Sequence, residues 1–136
     1  MDYLCFKLNS EPLAVDVLDI LEIIIPEKAL HIGIDYSRGV IDYKGLSVPL
    51  VNHFDRDVPV SDKRKPGRVI ICSCENKTIG LIIDSAEEIL RVGPDEITPA
   101  GAGDIAAEHI DGYLVTDDRR IPILSLKKIG ALISAG

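Results

Sequence analysis

The side chains that could do chemistry in this chain are two cysteines and an aspartate in its second half. Cys72 and Cys74 lie two positions apart in an apolar segment, and Asp84 ends the next apolar segment. In a strand the two cysteines would point the same way, so with Asp84 they could serve a thiol- or metal-dependent enzyme. Zinc sites, however, usually need a wider cysteine spacing and a second pair of ligands, and neither is present. Free thiols that fill the core are therefore favoured, and no metal or cofactor is expected.

The other reactive residue types show no catalytic pattern. The three histidines stand apart, and none lies in a familiar catalytic motif; they are His31, His53 and His109. The glycine-rich stretch GAGD at 101–104 has neither a dinucleotide-binding fingerprint nor a P-loop lysine. Asp16 and Asp84 each end an apolar segment before a short polar turn, which suits a helix cap better than a catalytic carboxylate. We therefore predict that the protein is not an enzyme, with the cysteine site as the alternative.

Composition narrows the classes of partner. The 136 residues carry a formal net charge of −7, and 46% of them are hydrophobic but only 4% aromatic. An acidic chain repels phosphate backbones, which disfavours nucleic acid as a partner. No apolar run approaches the ~20 residues of a membrane span, and the N-terminus lacks the pattern of a signal peptide. Three cysteines, an odd number, without an export signal predict free thiols and a cytoplasmic protein that does not insert into the membrane.

Local patterns predict mostly strands. Alternating apolar residues indicate a hairpin from strands at 3–8 and 13–17. After it, Asp16 is predicted to cap a short helix that has leucine and isoleucine three positions apart. The segment SAEEIL at 85–90 is predicted to form a helical turn, and Ser125 to cap a closing helix at 126–133.

The two halves of the chain repeat one order of elements. LAVDVLDILEI at 13–23 resembles LIIDSAEEILR at 81–91, and GVIDYKGLSVPLV at 39–51 resembles GYLVTDDRRIPIL at 112–124. In the second pair, a glycine is followed ten positions later by a proline between aliphatic residues. Short strands, Gly/Pro turns and repeated halves predict two small barrels that share an aliphatic core. Chance hairpin patterning is the alternative.

In their order and spacing these segments resemble the CheW-like coupling proteins of bacterial chemotaxis. The resemblance covers about residues 3–133, and its most specific pieces are RGVIDYKGLSVPL at 38–50 and GLIIDSAEEIL at 80–90. It implies an all-β fold: a single CheW-like domain of two intertwined SH3-like β-barrel subdomains, of about five strands each. The subdomains would be approximately the two halves, 1–60 and 66–136. It also implies a protein without catalytic activity or cofactor.

The resemblance further implies partners and a binding site. CheW-like proteins couple the tip of a chemoreceptor (a methyl-accepting protein) to the regulatory domain of a CheA-type histidine kinase. The receptor binds the groove between the subdomains, and the kinase domain docks end to end. Carried over residue by residue, the receptor-binding positions are Ile20, Glu22, Gly39, Lys44, Ala86 and Ile89. A decoy that binds only receptor or only kinase is a further alternative.

The hairpin at 38–50 departs from the family at its tip. Lys44 stands where the family usually has arginine, and it is expected to pair with Glu22 at the edge of the groove. Ala86 stands where the family usually has valine. Pro49 is expected at a barrel corner or on an edge strand, where one ladder donor can be missing. Because arginine and lysine are not equivalent in bidentate contacts, these departures bear on the choice of receptor more than on the fold.

Overall fold

The computed structural model describes residues 1–8, 10–25, 34–35, 39–51, 68–74, 76–101 and 109–129. This part of the chain is built mostly of strands, which confirms the all-β prediction. Twelve strands are present there: β1 Asp2–Leu8, β2 Glu11–Asp16, β3 Ile20–Ile24, β4 Ile34–Asp35, β5 Val40–Tyr43, β6 Leu46–Val51, β7 Arg68–Cys74, β8 Lys77–Ile83, β9 Ser85–Arg91, β10 Ile97–Pro99, β11 Ile110–Val115 and β12 Arg120–Leu124.

The described strands form two six-stranded sheets that have the same plan. Sheet 1 has the order β10-β11-β12-β2-β1-β9, and sheet 2 has the order β4-β5-β6-β8-β7-β3. Each strand of one sheet has a counterpart in the other, β1 with β7, β2 with β8 and so on to β6 with β12. In both sheets the one parallel contact falls at the same place, between β12 and β2 and between β6 and β8. The internal repeat read from the sequence is therefore a repeat of structure.

Each sheet takes strands from both halves of the chain. Sheet 1 combines β1 and β2 with β9–β12, and sheet 2 combines β3–β6 with β7 and β8. The chain crosses between the sheets after β2 and again after β8. The sheets therefore do not coincide with the halves 1–60 and 66–136, because the repeated units exchange strands.

The registers of the two sheets also agree. The register of β9 against β1 skips Glu87, and that of β3 against β7 skips Leu21. Glu88 and Glu22, which follow these bulges, therefore occupy corresponding positions. Matching the two sheets by their ladder positions places Leu13 at the position of Ile79. The sequence repeat of 13–23 with 81–91 instead matches Leu13 with Leu81, so that alignment is two residues out of register.

Three clusters of buried side chains are found among the described residues. One lies mainly under sheet 1 and includes Cys5 and Leu114, and another lies under sheet 2 and includes Ile41 and Ile71. The third joins the sheets; among its members are Leu4 and Phe6 of sheet 1 and Ile70, Cys72 and Leu81 of sheet 2. This shared cluster is what the two repeated halves predicted, because neither sheet alone can bury both of its faces.

Two of the predicted helices differ from the structure. The segment after Asp16 is only a three-residue 3-10 turn, Val17–Asp19, although Asp16 caps it as predicted, with Oδ1 accepting from the Leu18 N–H at 2.9 Å. SAEEIL is not a helical turn but part of strand β9, which pairs with β1. Its alanine, glutamates and leucine favour a helix, but helix propensity is a weak preference, and the ladder to β1 overrides it.

The closing helix begins as predicted. Residues 126–129 are helical, and Ser125 Oγ accepts from the Lys128 N–H at 3.2 Å. The rest of the predicted helix, 130–133, lies outside the described residues.

Pro49 lies on an interior strand, not on an edge. β6 has β5 on one side and β8 on the other, and Pro49 faces Val40 of β5. The parallel contact with β8 begins only at Leu50, whose N–H donates to the Gly39 carbonyl at 2.8 Å. Because successive N–H groups point to opposite sides of a strand, the donor that proline lacks would face β8 just before that pairing starts.

Candidate protein-interaction surface

Two strands at corresponding ends of the sheets expose apolar side chains. Among the described strands, β3 ends sheet 2 and β9 ends sheet 1. We give the name edge surface to seven of their exposed residues: Leu21, Glu22, Ile23, Ala86, Glu87, Glu88 and Ile89. Edge strands with exposed apolar side chains invite association unless a partner covers them. The edge surface is therefore suited to binding another protein.

Ile20 and Glu22 lie on either side of the bulge at Leu21 in β3. Ile20 is half-buried, lies opposite Cys72 and packs against the shared cluster. Glu22 is exposed on the same strand. Ile20 therefore supports the surface from below, while Glu22 offers a carboxylate to a partner.

Ala86 and Ile89 lie on the counterpart strand. Both are exposed, and 63% of the Ile89 side chain surface is accessible. Ile89 faces Leu4 of β1 in the ladder, whereas Leu4 is buried in the shared cluster. Ile89 is thus an apolar side chain that the fold itself does not use for its core.

Gly39 and Lys44 both have left-handed backbone conformations in the β5–β6 hairpin. Lys44 has φ +50° and Gly45 has φ +83°, the combination that a two-residue type I′ turn requires. Gly39, with φ +66°, stands at the start of β5. The tip residue is therefore held in a conformation that lysine rarely adopts, and its ammonium group projects into solvent.

The predicted pair between Lys44 and Glu22 is absent. Both residues belong to the described part of the chain, and the ion pairs found there do not include one between them. Lys44 Nζ instead lies 5.3 Å from the centroid of the Tyr43 ring. Tyr43 is the neighbour of Lys44 in the hairpin. Glu22 is on β3, which β7 and β8 separate from β6 and β5 in sheet 2.

Four exposed apolar residues were not recognised in the sequence: Leu18, Leu21, Ile23 and Leu46. Leu18 and Leu21 fit the apolar face of a predicted helix, yet Leu18 is 90% exposed at the crossover between the sheets. The one available signal for Leu21 and Ile23 is the segment at 20–25, which is aliphatic except for Glu22 and does not alternate between apolar and polar residues. Only the bulge in the ladder shows which of them point outward.

The crossover beside this surface carries a carboxyl group in an unfavourable position. Burial, and then the neighbouring charge of Asp16, raise the pKa of Asp19. A carboxyl whose pKa is higher in the folded than in the unfolded state destabilises the fold when it is ionised, and the loss disappears as pH falls through the folded pKa.

Asp19→Asn is therefore expected to raise the melting temperature slightly at pH 7, and the gain should vanish near pH 4 and below. Thermal melts followed by circular dichroism at several pH values would measure it. Asp16→Ala should act in the opposite direction, because loss of the cap costs about 1 kcal/mol. A gain from Asp19→Asn that is the same at every pH would show that the charge is not the cause.

The cysteine alternative has no support in the geometry. Cys72 is fully buried, and burial, followed by the charge of Asp19, raises its pKa to about 12, so the thiol is inert. Asp84 is exposed and accepts from the Ser10 N–H at 2.7 Å, which ties the second crossover to the β1–β2 hairpin. The described residues contain no group of three His, Cys, Asp or Glu side chains that could hold a metal. The side chain of Cys74, His31, His53 and the stretch at 102–104 lie outside the described residues.

Two curled sheets with exposed apolar side chains on their edge strands suit a protein that acts by binding other proteins. The family model of the CheW-like domain matches residues 2–133, and the chain belongs to that family. It is a non-enzymatic adaptor of chemotaxis-type signal transduction.

Individual relatives agree with this family. The chain is 28% identical over 133 residues to the chemotaxis protein CheW of Thermotoga maritima, with 94% of this chain and 86% of the relative covered. It is 25% identical over 134 residues to the probable chemotaxis protein CheW of Rhizobium etli, with the same shares covered. It resembles the crystal structure of the scaffolding protein TtCheW from Thermoanaerobacter tengcongensis with a TM-score of 0.70 and 25% identity, over 92% of this chain and 88% of the other.

Within the described residues, no helix is both long and apolar enough to cross a membrane.

Proposed function

We propose that the protein couples the cytoplasmic tip of a chemoreceptor to the regulatory domain of a CheA-type histidine kinase. The observation that carries the proposal is the family match, which spans nearly the whole chain and includes both sheets. An adaptor of this kind works in the cytoplasm beside membrane receptor arrays, and it needs two binding surfaces and no chemistry of its own.

The receptor is proposed to contact the edge surface and the hairpin tip. Of the residues carried over from the family, Glu22, Lys44, Ala86 and Ile89 are exposed; Ile20 is half-buried on the same strand as Glu22, and Gly39 is half-buried just before β5. An apolar centre with a charged rim is the usual composition of a protein interface. Ile89 is proposed as an apolar contact of the receptor on sheet 1, and Glu22 and Lys44 as separate charged contacts on sheet 2.

The test is assembly from purified components. The full chain is titrated with a receptor cytoplasmic fragment and with a CheA-type regulatory domain, singly and together, and the complexes are measured by analytical ultracentrifugation. We expect both binary complexes and a ternary complex. Binding of one partner only would identify a decoy, and binding of neither would overturn the proposal.

Lys44→Glu is expected to leave the melting temperature nearly unchanged and to weaken receptor binding about two- to fivefold at low salt. The side chain is exposed, so the fold loses little, while the charge at the rim changes sign. Screening should shrink the effect at high salt. Titration with the receptor fragment at two salt concentrations measures it.

Two matched variants complete that experiment. Lys44→Asn removes the charge and suits the left-handed turn, so it should show a smaller loss of binding. Lys44→Arg keeps the charge and should bind like the wild type. If Lys44→Glu also binds like the wild type at both salt concentrations, the tip is only a solvated turn.

A further inference from the structure

One ion pair joins two strands that are not neighbours in their sheet. Arg119 Nη1 lies 2.6 Å from Glu88 Oε1, and both side chains are partly exposed. Glu88 is on β9, whereas Arg119 directly precedes β12, and β2 and β1 lie between these strands in sheet 1. The contact therefore joins two residues that the ladder of sheet 1 does not bring together.

Both members of this pair line a half-open pocket of about 430 Å³. Cys5, Phe6 and Ile121 contribute buried apolar walls, and Lys7 and Glu87 line it together with the two paired residues. Cys5 is only 5% exposed. The pair thus lines the same pocket as the buried thiol of Cys5. We call the opening of this pocket the mouth of sheet 1.

The counterpart position in sheet 2 has no such pair. The two hairpins have the same register, with Val40 opposite Pro49 and Tyr113 opposite Pro122, so Leu46 corresponds to Arg119. Glu22 corresponds to Glu88, as shown by the bulges. Within the described residues Glu22 forms no ion pair, which means that the sheet plan does not itself require one.

We propose that Arg119 is a positioning residue: by pairing with Glu88 it closes the mouth of sheet 1 and holds β9 so that Ala86 and Ile89 face the receptor. Glu88 lies between these two residues on the strand, so its anchoring fixes both. The inference rests on the proposed function for its receptor part, whereas the closing of the mouth stands by itself. Arg119 lies in the turn between β11 and β12. This turn is stabilised by the Thr116 N–H, which donates to the Arg119 carbonyl at 2.9 Å.

The first experiment measures how fast Cys5 is alkylated by iodoacetamide in the full-length protein. Peptide mass spectrometry assigns the modified cysteine, and fully buried Cys72 is the internal reference. Arg119→Ala should increase the rate at Cys5 about two- to fivefold, the range that corresponds to losing an exposed ion pair. Cys72 should not change.

Loss of the Arg119 charge and opening of the mouth would change the alkylation rate of Cys5 in opposite directions, so this variant distinguishes them. Burial, and then the charge of Glu88, raise the pKa of Cys5, whereas the charge of Arg119 lowers it. Removing Arg119 without opening the mouth would therefore leave less thiolate and slow the reaction. Only an opened mouth gives a faster one.

Two further variants distinguish loss of the Arg119–Glu88 ion pair from a general loss of structure. Arg120→Ala removes the neighbouring guanidinium, which stacks 3.7 Å from the Tyr113 ring and does not line the cavity, so it should leave Cys5 unaffected. The exchange Glu88→Arg with Arg119→Glu restores a pair and should return the rate toward that of the wild type. An unchanged or slower Cys5 in Arg119→Ala, or no recovery on exchange, overturns the proposal.

The second experiment measures the affinity of the receptor fragment for the same variants. Arg119→Ala should weaken binding about two- to fivefold, and the exchange should restore part of it. Faster alkylation of Cys5 with unchanged affinity would reject the positioning role. If the wild-type protein does not bind the fragment, the proposed function is rejected instead. The Cys5 result would still decide whether the Arg119–Glu88 pair closes the mouth of sheet 1.

Discussion

Ile89→Asp is expected to weaken receptor binding about 5- to 150-fold and to leave the fold intact. Removal of an apolar anchor from the centre of an interface typically costs ~1–3 kcal/mol. The side chain is mostly exposed on β9, so a carboxylate there meets water in the free protein and a desolvated surface only in the complex. Titration with a receptor fragment measures the loss, and circular dichroism with thermal melting reports on the fold.

Two substitutions of the same kind bracket this result. Val115 is also an exposed aliphatic residue, 39% accessible, but it lies on β11 outside the edge surface, so Val115→Asp should bind like the wild type. Leu4 faces Ile89 from within the shared cluster, and Leu4→Asp should unfold the protein because it buries a charge. If Ile89→Asp melts like Leu4→Asp, then Ile89 is structural and its assignment to the receptor surface is wrong.

Phe6→Ala is expected to destabilise the whole described structure by about 3–5 kcal/mol. Phe6 is almost completely buried, and its cluster contains side chains of both sheets. A cavity at this place removes contacts from sheet 2 as well as from sheet 1. Urea denaturation measures the loss of stability, and hydrogen exchange resolved by peptide shows which strands lose protection.

The distribution of that loss is the informative result. A shared core requires that β7 and β8 of sheet 2 lose protection together with β1 and β2 of sheet 1. Leu46→Ala, at a side chain that is 58% exposed, should change stability by no more than about 0.5 kcal/mol. Loss of protection confined to sheet 1 after Phe6→Ala would mean that the sheets fold independently.

Several features of this protein are determined by the sequence alone because they depend on residues close together in the chain. Alternation along 3–8 and 13–17 produces the first hairpin, since successive side chains of a strand point to opposite faces. Asp16 and Ser125 each cap the turn that follows them, because the acceptor and the N–H are only two or three residues apart. The repeated order of glycine, strand and proline likewise indicated two related units and the family to which the chain belongs.

Other features were decided only by the tertiary structure, because they depend on pairing between residues far apart in sequence. The residues of Ser85–Arg91 favour a helix locally, yet the segment is a strand because β1 offers a ladder. The exposure of Leu21 and the matching positions of Glu22 and Glu88 follow from bulges in such ladders, which no local pattern encodes.

The exchange of strands between the repeated units has the same origin. A local reading joins each half to itself, whereas the structure pairs β1 with β9 and β3 with β7, from opposite halves. The strands pair in this way because the two inner strands, β1 and β7, must bury the faces that form the shared cluster. Burial of apolar area is not directional, so the sequence sets which side chains must be buried, and only the assembled sheets determine which partners bury them.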